Sequence, residues 1–247
     1  MRVPPQNGLY QPAFEKDSCG FGLIASLRGE ASHHVVATAM TALTRLTHRG
    51  AVAADGKTGD GCGLLMALPE AFLREVAGAP LGLTFGVGQV LLPREAAAAA
   101  RCRVELERQI AAAGLTCVTW RVVPVDPEVC GEEALASLPS IEQVFVEPGE
   151  DMDPATFERR LLVARRRTEI ALRGEERAFY VASLSCRTLS YKAMVMPVHL
   201  SRFYPDLADT RLTSRICMFH QRFSTKTWPE WRLAQPFRYL AHNGEIN

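Results

Sequence analysis

Hydrophobic positions along the chain recur at two spacings, one typical of strands and one typical of helices. An apolar run that begins at Phe21 predicts a strand that extends to about Leu27. Apolar side chains then recur at helical spacing between Ser32, a suitable N-cap, and Gly50, a suitable stop. The chain therefore opens with a strand followed by a helix.

The same patterns predict the elements that follow. Helices are expected over residues 70–77, 95–113, 132–137 and 153–174, with a helical turn at 199–203. Strands are expected at 64–68, 83–92, 115–125, 141–146 and 214–219. Two further strands, 179–185 and 191–197, flank five residues and predict a β-hairpin. Because strict β-α-β alternation is missing, an α+β layered fold is favoured over a doubly wound parallel sheet.

A loop of small residues at 51–63 contains the glycine-rich stretch D-G-K-T-G-D-G-C-G. It lacks the G-x-x-x-x-G-K-[ST] order of a phosphate-binding loop, and a strand follows where a helix would be required. A nucleotide site is therefore disfavoured. Close approach of the backbone to a small ligand or to another loop fits these glycines better.

Composition excludes several classes of protein. The chain has 247 residues, 47% hydrophobic and 22% charged, and 28 basic against 27 acidic side chains give a formal net charge of +1. This balance gives no support to a role on nucleic acid or at a membrane surface. There is no apolar run of transmembrane length and no signal peptide. Seven cysteines without C-x-x-C spacing argue against a disulfide framework or a metal site and predict a reducing cytoplasm.

The first candidate for chemistry is Cys19, which stands at the mouth of the first strand before Gly20. Residues 1–18 are rich in proline and resemble either a frayed terminus or a removable pro-segment. A cysteine here can pack as a small apolar residue or act as a nucleophile. If the leader is removed, the α-amino group of Cys19, with an ordinary pKa of about 7.7–8.0, is a suitable base.

Complementary groups occur near the other end of the chain. Arg222 carries a planar fork that suits a carboxylate. Asn243 offers a side-chain N–H and Gly244 a backbone N–H, which together can form an oxyanion hole. Each is an ordinary residue when taken singly. Together with the thiol of Cys19 they suit a substrate with an α-carboxylate at one end and an acyl carbon at the other, and glutamine is such a molecule.

Several stretches resemble the class II glutamine amidotransferases, which belong to the N-terminal-nucleophile hydrolase superfamily. More narrowly, they resemble the amidotransferase portion of the glutamate synthase large subunit. The stretches are FEKDSCGFGLIA, LTHRGAVAADGKTGDGCGLL, SLSCRTLSYKAMV, HQRFSTKTWPEWRLAQPFRYLAHNGEIN and, more loosely, IEQVFVEP. The joining W-P-x-W-x-L-A-Q-P-F-R of the longest stretch is particular to glutamate synthases.

The resemblance implies a role for each candidate residue. Cys19 would be the mature N-terminal nucleophile, and Asn243 and Gly244 would form the oxyanion hole. Arg222 would hold the carboxylate of glutamine. Arg49, within a His-Arg-Gly motif, would support substrate binding.

The resemblance also implies a fold and a division of the chain. The fold would be a four-layer αββα sandwich, with a leader at 1–18 and an amidotransferase domain at 19–247. The family carries an aspartate downstream of H-N-G that binds the substrate's α-amino group, and it would lie beyond Asn247. The domain is therefore expected to be incomplete at its C-terminus. No cofactor is expected in this segment, and FMN and an iron–sulfur cluster are implied downstream.

The implied reaction is hydrolysis of the glutamine amide through a cysteinyl γ-glutamyl thioester, which supplies ammonia for glutamate biosynthesis. The implied partners are glutamine and either a C-terminal remainder of the enzyme or a small NADPH-oxidising subunit. One alternative is another class II amidotransferase, such as a phosphoribosylamine-forming one, which the W-P-x-W connection disfavours. A second is an inactive or partner-completed fragment.

Overall fold

The structure is a computed structural model that describes residues 20–222 and 228–238. Its strands in chain order are β1 (Phe21–Ala25), β2 (Thr58–Ala67), β3 (Gly86–Leu92), β4 (Thr116–Val122), β5 (Ser140–Glu147), β6 (Tyr180–Ser185), β7 (Thr188–Val195) and β8 (Ile216–Gln221). Its α-helices are α1 (His33–Arg45), α2 (Glu70–Val76), α3 (Ala96–Ala112), α4 (Glu132–Ala136), α5 (Pro154–Ala171) and α6 (Leu200–Phe203).

The strands form two antiparallel sheets of four strands each. The order is β1-β8-β2-β7 in the first sheet and β4-β5-β3-β6 in the second. Helix α1 packs along β1 and β8, whereas α3 and α5 pack together on the second sheet. The layers are thus helix, sheet, sheet and helix, which confirms the α+β sandwich that the sequence predicts.

Side chains of the second sheet alternate between two cores. On β3, Val87 and Leu91 join the core shared with the first sheet, whereas Val90 joins the core beneath α3 and α5. On β5, Phe145 and Val144 divide in the same way. This period of two is what a strand covered on both faces requires.

A polar network lies between the two sheets. The Gln143 amide donates to Gln89 Oε1 at 3.0 Å and to the Tyr191 hydroxyl at 3.2 Å. The Tyr191 hydroxyl donates in turn to Asp206, at 2.8 Å. Arg121 donates to both carboxylate oxygens of Asp206, at 2.7 and 2.8 Å. These bonds satisfy polar groups that would otherwise be costly to bury.

The two long helices begin where the sequence predicts, and their caps explain why. The Glu95 carboxylate accepts from the backbone N–H groups of Ala97 and Ala98 at the start of α3. The Asp153 carboxylate does the same at the start of α5, where Pro154 is the first helical residue. Ser32 stands at the N-cap position of α1, but its side chain makes no capping hydrogen bond.

The predicted β-hairpin is wrong. β6 pairs with β3 in the second sheet, and β7 pairs with β2 in the first, so the turn at residues 186–187 carries the chain from one layer to the other. Both strands are buried on both faces over most of their length. Such uniformly buried strands carry no alternation that assigns them to a common sheet.

Several strand boundaries also differ from prediction, among them the end of β4, at Val122 rather than residue 125, and the start of β7, at Thr188 rather than residue 191. β2 begins at Thr58 rather than at residue 64, because the second half of the glycine-rich loop pairs irregularly with β7. β3 begins at Gly86, and Leu83 before it is exposed. β1 ends at Ala25, and the side chain of Leu27 beyond it is fully exposed.

Candidate active site

The candidate site lies where β8 ends. Because β8 lies between β1 and β2, its last residue, Gln221, has neighbours on both sides. The Gln221 N–H donates to Gly20 O at 2.6 Å, and the Arg222 N–H donates to Gly61 O at 2.8 Å. The start of the first strand and the glycine-rich loop therefore meet beside Arg222.

Arg222 is buried, with 7% of its surface exposed. Its guanidinium Nη1 donates to the backbone oxygen of Asp60 at 3.3 Å. Together with the bond from its N–H to Gly61, this holds the arginine to the glycine-rich loop at two points. A guanidinium that is oriented before a carboxylate arrives loses less entropy on binding.

The second predicted substrate-binding residue, Arg49, closes a 3₁₀ helix that follows α1 and is half-buried. Its neighbour Gly50 lies against the side chain of Gln221, which occupies the space a Cβ would need. The Gln221 amide donates to the backbone oxygen of Arg222 at 3.0 Å. The structure thus brings the His-Arg-Gly motif and Arg222 together around Gln221, a residue that the sequence analysis missed although it precedes Arg222.

The glycines of the loop admit another segment of the chain. A Cβ at Gly61 would lie 2.7 Å from Cβ and 2.8 Å from Cα of Ala234, and Gly61 has a φ of +114°. A Cβ at Gly63 would lie 2.8 Å from the backbone oxygen of Gln235. Of the two possibilities that the sequence left open, the structure therefore shows close approach to another stretch of backbone. We call residues 231–238 the C-terminal segment.

The first half of the loop caps helix α4. The Asp55 carboxylate accepts from the N–H of Thr58 at 2.7 Å and from that of Glu133 at 3.2 Å, and Thr58 Oγ1 accepts from the N–H of Ala134 at 3.2 Å. The hydrogen bond from the Thr58 hydroxyl, followed by those from backbone N–H groups, holds the pKa of Asp55 well below its usual range. This half of the loop therefore has a structural role, which is to cap α4.

A buried lysine holds the C-terminal segment. Lys192 lies on β7 with 1% of its surface exposed, and its ammonium donates to the backbone oxygens of Arg232 and Ala234, both at 2.8 Å. The rings of Tyr180 and Phe237 lie 4.4 and 4.8 Å from the Lys192 nitrogen. Burial lowers the pKa of Lys192 well below its usual value. Sequence reasoning missed this residue, although a lysine in the middle of an apolar strand was a visible signal.

The end of the segment is fastened by an ion pair. The Arg238 guanidinium contacts the Glu158 carboxylate of α5 and donates to Leu184 O at 3.2 Å. The Ser185 hydroxyl donates to the same carboxylate at 3.0 Å. Glu158 and Arg238 are both largely buried. The C-terminal segment is therefore bound to β7 at one end and to α5 at the other.

The cysteines of the described ranges are free thiols. Burial raises the pKa of Cys102, Cys117 and Cys130 to about 11 and that of Cys217 to about 12. The same effect raises the pKa of the other two, Cys62 and Cys186. A raised pKa keeps these groups protonated at neutral pH, and the nucleophilic form of cysteine is the thiolate.

Three predicted catalytic residues, Cys19, Asn243 and Gly244, lie outside the described residues, as does the leader at 1–18. Their roles stay predictions. Within residues 20–222 and 228–238 there is no group of three or more His, Cys, Asp or Glu side chains arranged to hold a metal ion. None of the helices in those ranges is long and apolar enough to cross a membrane.

Comparison with known proteins gives a consistent result. The family described as glutamine amidotransferases class-II matches residues 19–247. The glutamate synthase [NADPH] large chain of Azospirillum brasilense is 47% identical over 96% of this chain, and that of Bacillus subtilis is 39% identical over 100%. The ferredoxin-dependent glutamate synthase 2 of a Synechocystis species is 42% identical over 94%. The chain spans about 16% of the length of the first two relatives and 15% of the third.

Proposed function

The chain belongs to the class-II glutamine amidotransferases, and we propose that it hydrolyses the side-chain amide of glutamine as the ammonia-supplying part of a glutamate synthase large chain. The position of Arg222 carries this proposal. It is buried and oriented directly after Gln221, whose N–H donates to Gly20 O, and Cys19 directly precedes Gly20 in the sequence. A carboxylate clamp and a nucleophilic thiol suit the two ends of glutamine.

We propose that removal of residues 1–18 frees the α-amine of Cys19. The start of the family match at residue 19 supports this boundary. The free amine takes the thiol proton, and the thiolate attacks the amide carbon of glutamine while Arg222 holds the α-carboxylate. The buried cysteines of the described ranges have raised pKa values, which supports Cys19 as the nucleophile.

In the proposed second half of the reaction, Asn243 and Gly244 donate to the oxyanion of the tetrahedral intermediate. One donor in such a hole is worth about 3–4 kcal/mol of transition-state stabilisation. The protonated α-amine of Cys19 gives its proton to the leaving nitrogen, the C–N bond breaks and ammonia departs, leaving a γ-glutamyl thioester. Water, deprotonated by the same amine, then attacks the thioester, the C–S bond breaks, and glutamate is released.

The whole enzyme is proposed by resemblance alone. FMN and an iron–sulfur cluster are implied in sequence downstream of the matched stretch, so the reaction proposed for this chain uses only its own groups and water. The remainder of the large chain and a small NADPH-oxidising subunit are the proposed partners, and the cytoplasm is the proposed compartment. The names of the relatives, two of them NADPH glutamate synthase large chains, support the proposal that this chain is part of a glutamate synthase.

The test uses the chain expressed so that it begins at Cys19. We expect glutamate release from glutamine, and a single adduct at Cys19 after treatment with a glutamine-like diazoketone. Cys19→Ala should lose both, whereas Cys186→Ala, which removes a thiol with a raised pKa, should retain both.

The same experiment distinguishes a chain that is active alone from a fragment that needs a partner. Activity that appears only after mixing with the downstream portion of the Azospirillum brasilense large chain identifies the partner-completed state. Full hydrolysis by Cys19→Ala overturns the proposal, and so does the absence of turnover and of labelling with and without that portion.

A further inference from the structure

We propose that Lys192 is a positioning residue for Arg222, acting through the C-terminal segment and the glycine-rich loop. This inference rests on the proposed role of Arg222 in binding the α-carboxylate of glutamine. Lys192 lies on β7, and no motif or spacing in the sequence assigns it a role.

The first link runs from Lys192 to the backbone of the segment. The ammonium is buried, so its two hydrogen bonds to the backbone oxygens of Arg232 and Ala234 and its contacts with two aromatic rings replace water. Leaving a buried charge without such partners is costly. The two carbonyls are therefore held firmly, whatever side chains stand at positions 232 and 234.

The second link runs from the segment to the loop. Ala234 is fully buried, and the space beside Gly61 cannot admit even a methyl group. One position along, the backbone oxygen of Gln235 lies against Gly63 in the same way. Because no free space remains between these two backbones, a displacement of one is transmitted to the other. Movement of the segment therefore moves Gly61.

The third link runs from the loop to the arginine. The backbone oxygens of Asp60 and Gly61 each accept a hydrogen bond from Arg222, one from its guanidinium and one from its N–H. Both acceptors belong to adjacent residues. A shift of this dipeptide therefore changes the direction of the guanidinium, and a misplacement of about 1 Å can cost up to about 100-fold in rate.

The test is Lys192→Met, which keeps the length of the side chain and removes its donors. We measure hydrolysis of glutamine and of 4-aminobutanamide, which is glutamine without its α-carboxylate. If Lys192 acts through Arg222, the KM for glutamine rises about tenfold while kcat/KM for the analogue stays unchanged. Lys192→Arg, which keeps the donors, should recover part of the loss.

Two controls sharpen the result. Arg202→Met removes an exposed arginine that pairs with Asp126 at the surface, and it should leave both substrates unaffected. In an Arg222→Ala background, Lys192→Met should add no further loss, because the residue it positions is absent. Equal losses for both substrates, or an additive loss in the double variant, overturn the inference.

A second readout needs no turnover. Hydrogen exchange at the Arg222 amide and in the peptide that covers residues 58–63 should be faster in Lys192→Met than in Arg202→Met, because the acceptor of the Arg222 N–H is loosened. This measurement separates failure of the positioning link from failure of the proposed function. Unchanged exchange overturns the link even if glutamine is hydrolysed.

If Lys192→Met does not fold, Ala234→Gly tests the same link from the other side. It removes the methyl group that packs against Gly61 and leaves the Lys192 hydrogen bonds in place. The expected results are the same rise in KM for glutamine alone and the same faster exchange at Arg222. A variant that folds and shows neither overturns the inference.

Discussion

Charged side chains around the candidate site bind backbone atoms as well as other side chains. Arg222 donates to Asp60 O, Lys192 to the oxygens of Arg232 and Ala234, and Arg238 to a strand carbonyl. Every residue has a backbone oxygen, so the sequence alone does not show which backbone oxygen a charged side chain will bind. This is why motif reasoning selected Arg222 and gave Lys192 no partner, although a lysine within an apolar strand marks its position in the sequence.

The planar guanidinium of Arg222 leads to a direct prediction. Arg222→Lys keeps the positive charge but loses the planar pair of donors that fits a carboxylate, so we expect the KM for glutamine to rise about tenfold or more with a smaller change in kcat. Steady-state hydrolysis assays measure it. Arg202→Lys, at an exposed ion pair, is the matched control. An unchanged KM would show that another group holds the carboxylate.

At the scale of elements, the sequence predicts local structure better than pairing. The limits of α3 and α5 agree with prediction to within a few residues, because Glu95 and Asp153 cap them through adjacent backbone groups. The pairing of β6 and β7 depends on which layer each strand enters. The layer is decided by pairing of β6 with β3, about 90–100 residues away in the sequence, and of β7 with β2, about 120–140 residues away, so a local pattern cannot reveal it.

The glycine-rich loop shows the same limit. The sequence indicates that its glycines admit something closely, and the structure identifies the residues that approach as Ala234 and Gln235. Of the candidate site, Arg222 and Gly50, the residue that follows Arg49, both contact the side chain of Gln221. The roles of Cys19, Asn243 and Gly244 stay predictions.

The cap on α4 predicts a stability change with a definite dependence on pH. Asp55→Asn should lower the free energy of unfolding by about 1 kcal/mol at neutral pH, because both carboxylate oxygens accept hydrogen bonds and asparagine keeps one oxygen and no charge. Since the folded-state pKa of Asp55 is depressed, its contribution is complete above the unfolded-state pKa of about 3.9 and is lost as the pH falls below it. Urea unfolding at several pH values measures both effects.

In that experiment the two curves should converge on acidification. Curves for Asp55→Asn and the unsubstituted chain that stay parallel down to about pH 2 would contradict the assignment of the cap.

At the scale of the whole molecule, the buried pair of Arg121 and Asp206 joins the two layers. Arg121 lies on β4 in the second sheet, whereas Asp206 follows α6 and also accepts from Tyr191 on β7 in the first. The side chains are 13% and 5% exposed, so water replaces little of what is lost when one partner is removed.

We therefore expect Asp206→Asn to lower the free energy of unfolding by about 3 kcal/mol, because it leaves the largely buried Arg121 without a countercharge. Asp126→Asn, at the exposed pair with Arg202, should cost much less, because exposed ion pairs contribute little to stability. Denaturant unfolding of the two variants side by side measures the difference. Equal losses would mean that the pair between the layers is no more than a surface contact.

The strand order of the first sheet has a consequence for synthesis on the ribosome. β8 is the last strand of the described ranges to be made, yet it lies between β1 and β2 and pairs with both. While residues 216–221 are still inside the exit tunnel, the nascent chain holds β1 without its β8 partner, and the β8-facing edge of β2 is open as well. The edges of β1 and β2 that β8 later covers are therefore exposed to chaperones during translation. On a ribosome stalled before Ile216 they would stay exposed.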